Sequence, residues 1–450
     1  MKKLLLIIPA FVILRTSAQT IIKQDNSIKQ MVDEVSSKNI EANIRKLVSF
    51  KSRHTLSDTT SKTEGSGAAR NWIKAEMEKY AKESTGRMTV EFDTFTQPKS
   101  DRIDKPVKLK NVLAILKGTD PNDTRVYIVS GHYDSRVSDA MNTNSVEPGA
   151  NDDASGSAVS MELARVMSKW SFPSTIIFMC VVGEEQGIYG SANVAKRAKA
   201  EKWNVDAMLN NDIVGNTHGM DNDIKDNKSV RVFSEGVPTT AARNEREISA
   251  LISRGGENDS PSRELARYIK ETAERYVDNL DVRLIYRRDR FLRGGDHTSF
   301  QQQGFTAVRI TEMNEDFTRQ HQDIRTEKGV DYGDLPDFVD FNYVQKVARM
   351  NLSVLANLAL APAEPENVGV ITSGLTNKTT LKWEAPKAGK KPAAYYVLMR
   401  ETISPYWEKK FYVEGTGITL DYSKDNYFFA VQSVDDKGHE SLPVYPKPVR

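Results

Sequence analysis

Two adjacent carboxylates, Glu184 and Glu185, follow directly on an apolar run at residues 175–182. Burying charge is costly unless it is paired or bound to a metal. Consecutive residues leaving a strand face different ways, so one glutamate can bind a cation while its neighbour moves a proton. Two further apolar runs end in similar chemistry. Residues 126–130 lead into Gly131-His132-Tyr133-Asp134, and residues 205–209 lead into Asn210-Asn211-Asp212. Between the first two runs, Asn151-Asp152-Asp153-Ala154-Ser155-Gly156 forms a polar turn ahead of a helix-like segment at 158–170. Imidazole and carboxylates with no thiolate among them suit a hard-to-borderline metal: zinc, with manganese and cobalt as rivals.

The elements that must position these groups follow from hydrophobic period and turn residues. Strands are expected at 88–95, 111–116, 125–129, 175–182, 206–209, 282–286 and 307–310. Helices are expected within 19–50 and at 67–81, 158–170, 192–200, 262–277 and 341–360. Such alternation implies an α/β domain, its sheet covered on both faces by helices. In open α/β sheets ligands bind outside the carboxyl ends of the strands, where His132, Glu184, Glu185 and Asp212 fall. Residues 221–262 are polar and poorly periodic, and read as a long loop: a lid or binding loop, or a plain surface excursion. A boundary falls at 360–366, where Pro362 and Pro365 predict a stiff, exposed connection. Beyond it, aromatic and β-branched runs separated by turn residues indicate a small all-β module over 367–450, dispensable for the chemistry.

At 450 residues, two domains are expected after any leader is removed. Lys2-Lys3, the apolar run 4–14 and Thr16-Ser17-Ala18 make up the three parts of a signal peptide, with cleavage after Ala18 and export to the periplasm or beyond. The apolar part is too short to span a bilayer, and no later run is long enough. Removing residues 1–18 takes away Lys2, Lys3 and Arg15 and no acid, leaving 60 basic against 61 acidic residues. That balance does not favour nucleic acid or an anionic membrane as partner. The single cysteine, Cys180, lies inside an apolar strand and reads as a small core residue.

Taken together, Gly131-His132-Tyr133-Asp134, Asn151-Asp152-Asp153-Ala154-Ser155-Gly156, Gly183-Glu184-Glu185-Gln186-Gly187 and Asn211-Asp212 resemble the two-zinc exopeptidase family. Secreted bacterial leucyl aminopeptidases and glutamate carboxypeptidase II belong to it. The resemblance covers about residues 40–360, within a catalytic domain placed at 19–361, and implies a mixed sheet sandwiched by helices. Trp383, Tyr396, Tyr427 and the stretch from Asp435 to Ser441 resemble a fibronectin type III domain.

The same resemblance implies roles. His132 and Asp212 would hold one zinc, Glu185 the second, and Asp152 would bridge the two across a cis Asp152–Asp153 peptide. Asp134 would hold the far ring nitrogen of His132. The second metal needs a further histidine. His321, after the last core strand and before the final helix, matches the family's ligand position. Asp296-His297 matches a neighbouring motif close to the site, so Asp153, Asp296 and His297 are expected around the ligands. Glu184 would be the general base, serving a water shared by two metals and then protonating the leaving amine.

The implied reaction is hydrolysis of peptide substrates, with an aminopeptidase as the leading reading. Carboxypeptidase, dipeptidase, glutaminyl cyclase and an inactive binding protein on the same fold are the alternatives. Arg287, Arg288, Arg290 and Arg293 could bind a substrate carboxylate or form a solvated basic strand end. The C-terminal module could dock to a surface, polymer or protein, or shield the catalytic domain.

Overall fold

The computed structural model describes residues 23–238 and 245–450, so the leader-like segment 1–18 lies outside them. The helices are α1 (Asn26–Asp33), α2 (Ser37–Val48), α3 (Gly65–Glu83), α4 (Ala154–Met167), α5 (Glu184–Gly187), α6 (Tyr189–Ala200), α7 (Glu245–Ile252), α8 (Pro261–Tyr276), α9 (His297–Gln302) and α10 (Phe341–Leu360). The strands of the catalytic region are β1 (Met88–Gln97), β2 (Val107–Leu116), β3 (Arg125–His132), β4 (Thr175–Val181), β5 (Asn204–Asn211), β6 (Ser229–Phe233), β7 (Asp281–Ile285), β8 (Ala307–Glu312) and the hairpin β9 (Arg325–Glu327) and β10 (Val330–Tyr332).

Eight strands form one mixed sheet in the order β1-β2-β4-β3-β5-β8-β6-β7. The central four, β4, β3, β5 and β8, run parallel, so their carboxyl ends share one edge. Alternation along β4 shows how the sheet is covered. Ile176, Phe178 and Cys180 join the core under α1–α4, α8 and α10, whereas Ile177, Met179 and Val181 pack with Val194 and Ala198 of α6 and Phe300 of α9. Both faces are buried, which is why β4 reads as a continuous apolar run. Burial pushes the Cys180 thiol up to about 12, so it is an inert core group.

Residues 221–262 are not one long loop. Among the described residues of this stretch, β6 supplies a sheet strand and α7 a helix. Val230, Val232 and Phe233 are buried, but polar flanks hide so short an alternation. The expected helical stretch within 19–50 is, among its described residues, the two helices α1 and α2.

Beyond α10 lie seven strands: β11 (Glu366–Ile371), β12 (Thr379–Glu384), β13 (Ala394–Glu401), β14 (Lys409–Val413), β15 (Gly417–Leu420), β16 (Tyr427–Val434) and β17 (Lys447–Val449). They make two sheets, β15-β12-β11-β17 and β14-β13-β16. Leu381, Trp383, Tyr395, Val397 and Val431 fill the core between them.

The connection to this module is not exposed. Ala361 and Pro362 are buried, and Arg125 donates to the carbonyl oxygens of both, at 2.7 and 3.1 Å. The module also packs on α8 and α10. Arg275 pairs with Glu440 at 2.9 Å, and Asn357 donates to the same carboxylate at 2.9 Å. Trp407 donates to Glu264, and Arg400 pairs with Asp259. The start of α1 also meets the module: Nε2 of His439 lies 3.6 Å from Asp25, whose backbone N–H donates to the Tyr276 hydroxyl at 2.8 Å. No helix of the described residues is long and apolar enough to cross a membrane.

Candidate metal centre

The site forms at the shared carboxyl edge of β3, β4 and β5. His132 is the last residue of β3 and is 1% exposed. Just before it, a side chain at Gly131 would lie 2.2 Å from the backbone of Gly156. That close approach brings the end of β3 against the start of α4, and so His132 beside Asp152. The Asp152–Asp153 peptide is cis. Asp153 caps α4 by accepting the N–H of Gly156 at 2.9 Å, and it also accepts the backbone N–H of His132 at 2.9 Å.

Nε2 of His132 lies 3.2 Å from Oδ1 of Asp152 and 4.0 Å from Asp212, and is buried without a hydrogen bond to a described residue. On the other side, Nε2 of His321 lies 2.9 Å from Oδ2 of Asp152 and 3.0 Å from Oε1 of Glu185. Two groups therefore gather ligand atoms within 4.8 Å of one another: His132, Asp152 and Asp212, and Asp152, Glu185 and His321. Asp152 belongs to both. One imidazole nitrogen with carboxylate oxygens in each group suits zinc, and the orphaned Nε2 of His132 is the atom a bound cation would satisfy.

His297 stands elsewhere. Its Nε2 is 2.9 Å from the carbonyl oxygen of Arg288, and burial lowers its pKa to about 4. Asp296, next to it, is fully buried, and burial pushes its pKa up to about 7.

Asp134 holds its neighbour differently from the sequence expectation. The main-chain carbonyl, not the carboxylate, is the nearer partner of His132 Nδ1, at 3.0 against 3.7 Å. The carboxylate instead accepts the hydroxyl of Thr55 at 2.8 Å and the backbone N–H groups of Glu184 and Glu185 at 3.4 and 3.2 Å. It thus fixes the turn that aims both glutamates. Gly183, at φ +79°, makes that turn possible directly after β4. Burial first, then the nearby Asp212 and Glu185 carboxylates, hold Glu184 well above the usual carboxylate range against the pull of His132. A raised carboxyl pKa suits a group that must accept a proton near neutrality.

Several supporting residues carried no sequence signal. Asp334 accepts the backbone N–H groups of Asn151 and Asp152 at 2.9 and 2.7 Å. Buried Arg53 donates to the carbonyls of Tyr133, Pro148 and Gly149. Arg309 pairs with Asp212 at 2.8 Å; a cation inside the apolar strand β8 was the one mark that could have revealed it. Arg136 lies 3.0 Å from Glu185 and 2.7 Å from Nδ1 of His321.

A cavity of about 280 Å³ opens on both ligand groups and on Glu184, with Arg102, Arg136, Arg290 and Arg293 in its wall. Of the arginine run, Arg287 stacks on Phe291, Arg288 bonds Gln301, and Arg290 pairs with Asp289 and Glu315. Arg293 approaches Glu315 at 3.9 Å.

A sheet edge carrying two overlapping nitrogen-and-carboxylate groups beside a further glutamate defines a metal-dependent hydrolase. The model of peptidase family M28 matches residues 111–337. A probable zinc metalloprotease of Pyrenophora teres f. teres (strain 0-1) is 50% identical over 426 residues, 94% of this chain and 87% of the relative. One of Leptosphaeria maculans is 48% identical over 430 residues, 94% of this chain and 97% of the relative. Among solved structures, the Legionella pneumophila LapA aminopeptidase is similar with a TM-score of 0.52 at 20% identity, covering 77% of this chain and 78% of that one. LapB of the same organism gives 0.54 at 15% identity, covering 76% of each chain. The chain belongs to peptidase family M28 and is a zinc metallopeptidase.

Proposed function

We propose that this chain is an exported two-zinc exopeptidase that removes residues from the N-termini of peptides. The observation that carries the reading is Asp152, whose two oxygens serve two separate ligand groups. His132 and Asp212 would hold one zinc, Glu185 and His321 the other, with Asp152 between them. When bound, such a pair acidifies water and polarises a carbonyl oxygen.

The chain's own residues do the rest. Glu184 takes the proton of the attacking water and returns it to the departing amine. Asp134 keeps Glu184 and Glu185 aimed through their backbone N–H groups. Asp153 holds the backbone of His132, and Asp334 holds that of Asp152.

The four arginines in the cavity wall favour a second reading, a carboxypeptidase that grips a terminal carboxylate. One experiment separates the two. The purified enzyme is given peptides with free, N-acetylated or C-amidated ends, and products are followed by mass spectrometry. Loss of cleavage on acetylation supports the aminopeptidase; loss on amidation alone replaces it with the carboxypeptidase. Export is tested by sequencing the mature N-terminus, expected at Gln19.

A further inference from the structure

Between the catalytic region and the C-terminal module lie two adjoining cavities of about 470 and 490 Å³. Arg254, Lys424, Asp425, Tyr427 and Phe428 line both, so the two form one cleft. The cleft shares no lining residue with the catalytic cavity. Cavities of this size at a boundary between domains are common ligand sites.

The floor of the cleft is fixed and its charges are answered. Arg267 and Arg400 have side chains 1% and 2% exposed; both pair with Asp259, and Arg267 pairs with Glu264 as well. The carbonyl oxygen of Pro405 accepts from Nε of Arg267 at 2.8 Å and from the Tyr286 hydroxyl at 2.9 Å, which ties the module to the catalytic region. The Arg400 guanidinium stacks 4.3 Å from the centre of the Phe428 ring. Gly255 approaches the same ring at φ +70°, and a Cβ there would lie 3.0 Å from it. Glycine thus lets the turn after α7 close onto the module.

The mouth is different. Arg254 and Lys424 bring two positive charges to it, and Glu257 and Asp425 two negative ones. Among the described residues none of these four has an ion-pair partner within 4.0 Å. Charges of both signs therefore line one concave space without cancelling one another. Beyond them the second cavity is apolar, with Leu251, Val370, Phe429 and Pro446 in its wall. A simple anion answers half of the charges, and a hydrocarbon answers none. A ligand with a carboxylate, an ammonium and an apolar group answers the whole lining.

We propose that this cleft is a second binding site, for a free α-amino acid with an apolar side chain. The carboxylate lies against Arg254 and Lys424, the ammonium against Glu257 and Asp425, and the side chain against Phe428 and Leu251. Each part of the chain supplies one charge of each sign: Arg254 and Glu257 come from the catalytic region, Lys424 and Asp425 from the module. The module is then the second jaw of a site that neither part forms alone. An exopeptidase releases amino acids from either terminus, so the ligand class does not depend on which end is trimmed. Binding here needs no metal, and it stands or falls apart from the reading of the centre.

The test is calorimetry on the full-length, zinc-loaded protein with three probes: L-phenylalanine, 3-phenylpropionate, which lacks the ammonium, and 2-phenylethylamine, which lacks the carboxylate. L-Phenylalanine is expected to bind saturably, and each of the other two to bind weaker by about tenfold or more, the worth of a hydrogen bond to a charged group. All three are compared on the wild type, so this result does not depend on a variant folding. Arg254→Gln and Lys424→Gln should each weaken L-phenylalanine by a similar factor, with Lys424→Arg restoring it, while cleavage of a small aminoacyl substrate stays at the wild-type rate. Absence of binding overturns the inference. So does 3-phenylpropionate or 2-phenylethylamine binding as well as the amino acid. L-Phenylalanine binding unchanged in both glutamine variants also overturns it, since the ligand would then sit at the catalytic centre.

Discussion

Nε2 of His132 lies 3.2 Å from Oδ1 of Asp152, while the other oxygen of Asp152 is turned to His321. One side chain is thus common to both halves of the centre. Asp152→Ala is expected to lose both zinc equivalents, whereas His132→Ala and His321→Ala should each lose one. Elemental analysis of the three variants after chelator-free purification checks this. Retention of one full equivalent by Asp152→Ala would break the bridging assignment.

Glu184→Gln should keep its zinc and fold yet lose turnover by about 10²–10⁴-fold, because the proton acceptor is gone and the ligands remain. Glu185→Ala should instead lose the metal of the His321 half. Paired metal analysis and peptide hydrolysis distinguish the two neighbours. Near-normal turnover in Glu184→Gln would remove it from the base role.

The buried ring of His297 makes a pH prediction. Its pKa in the fold is about 4, against 6.5 when exposed. Protons bind the unfolded chain first, so stability present above pH 6.5 is lost as the pH falls toward 4, by about 3 kcal/mol for the shift of this one group. In His297→Gln that share of the acid loss should disappear, seen as a smaller gap between urea midpoints at pH 7 and pH 5. Its zinc content should match wild type.

The module interface gives a stability prediction. Arg275 and Glu440 have side chains 9% and 1% exposed. Removing one partner leaves a buried charge alone, so Glu440→Ala should cost about 3–5 kcal/mol by urea unfolding. A protein ending near Pro362 would strand Arg275 and Asn357 and expose the faces of α8 and α10. It is expected to be far less soluble than the full chain. This reverses what the two prolines suggested, because proline's stiffness says nothing about what the adjacent carbonyls bond to.

The site was legible where chemistry sat at the end of an apolar run. His132 ends, and Glu184, Glu185 and Asp212 follow, a strand whose two buried faces leave a long hydrophobic signature. His321 had no such signature and stood out only by its order relative to the strand β8 and the helix α10. The residues that brace the centre were silent. Arg53 reaches Tyr133 across 80 positions, and Asp334 reaches Asp152 across 182. Such contacts exist only after the sheet has formed, so no local spacing encodes them. The strand β6 was lost for a related reason: its pairing with β7 and β8 supplies the stability that its own five residues do not advertise.

The meeting of Asp25 with His439 and Tyr276 joins the first helix of the described chain to its last strands. Opening of α1 then loosens the segment around His439, so the two open as one cooperative unit rather than independently. Hydrogen exchange at the amides of residues 26–33 and 439–444 should accordingly rise together when Asp25 is replaced by alanine.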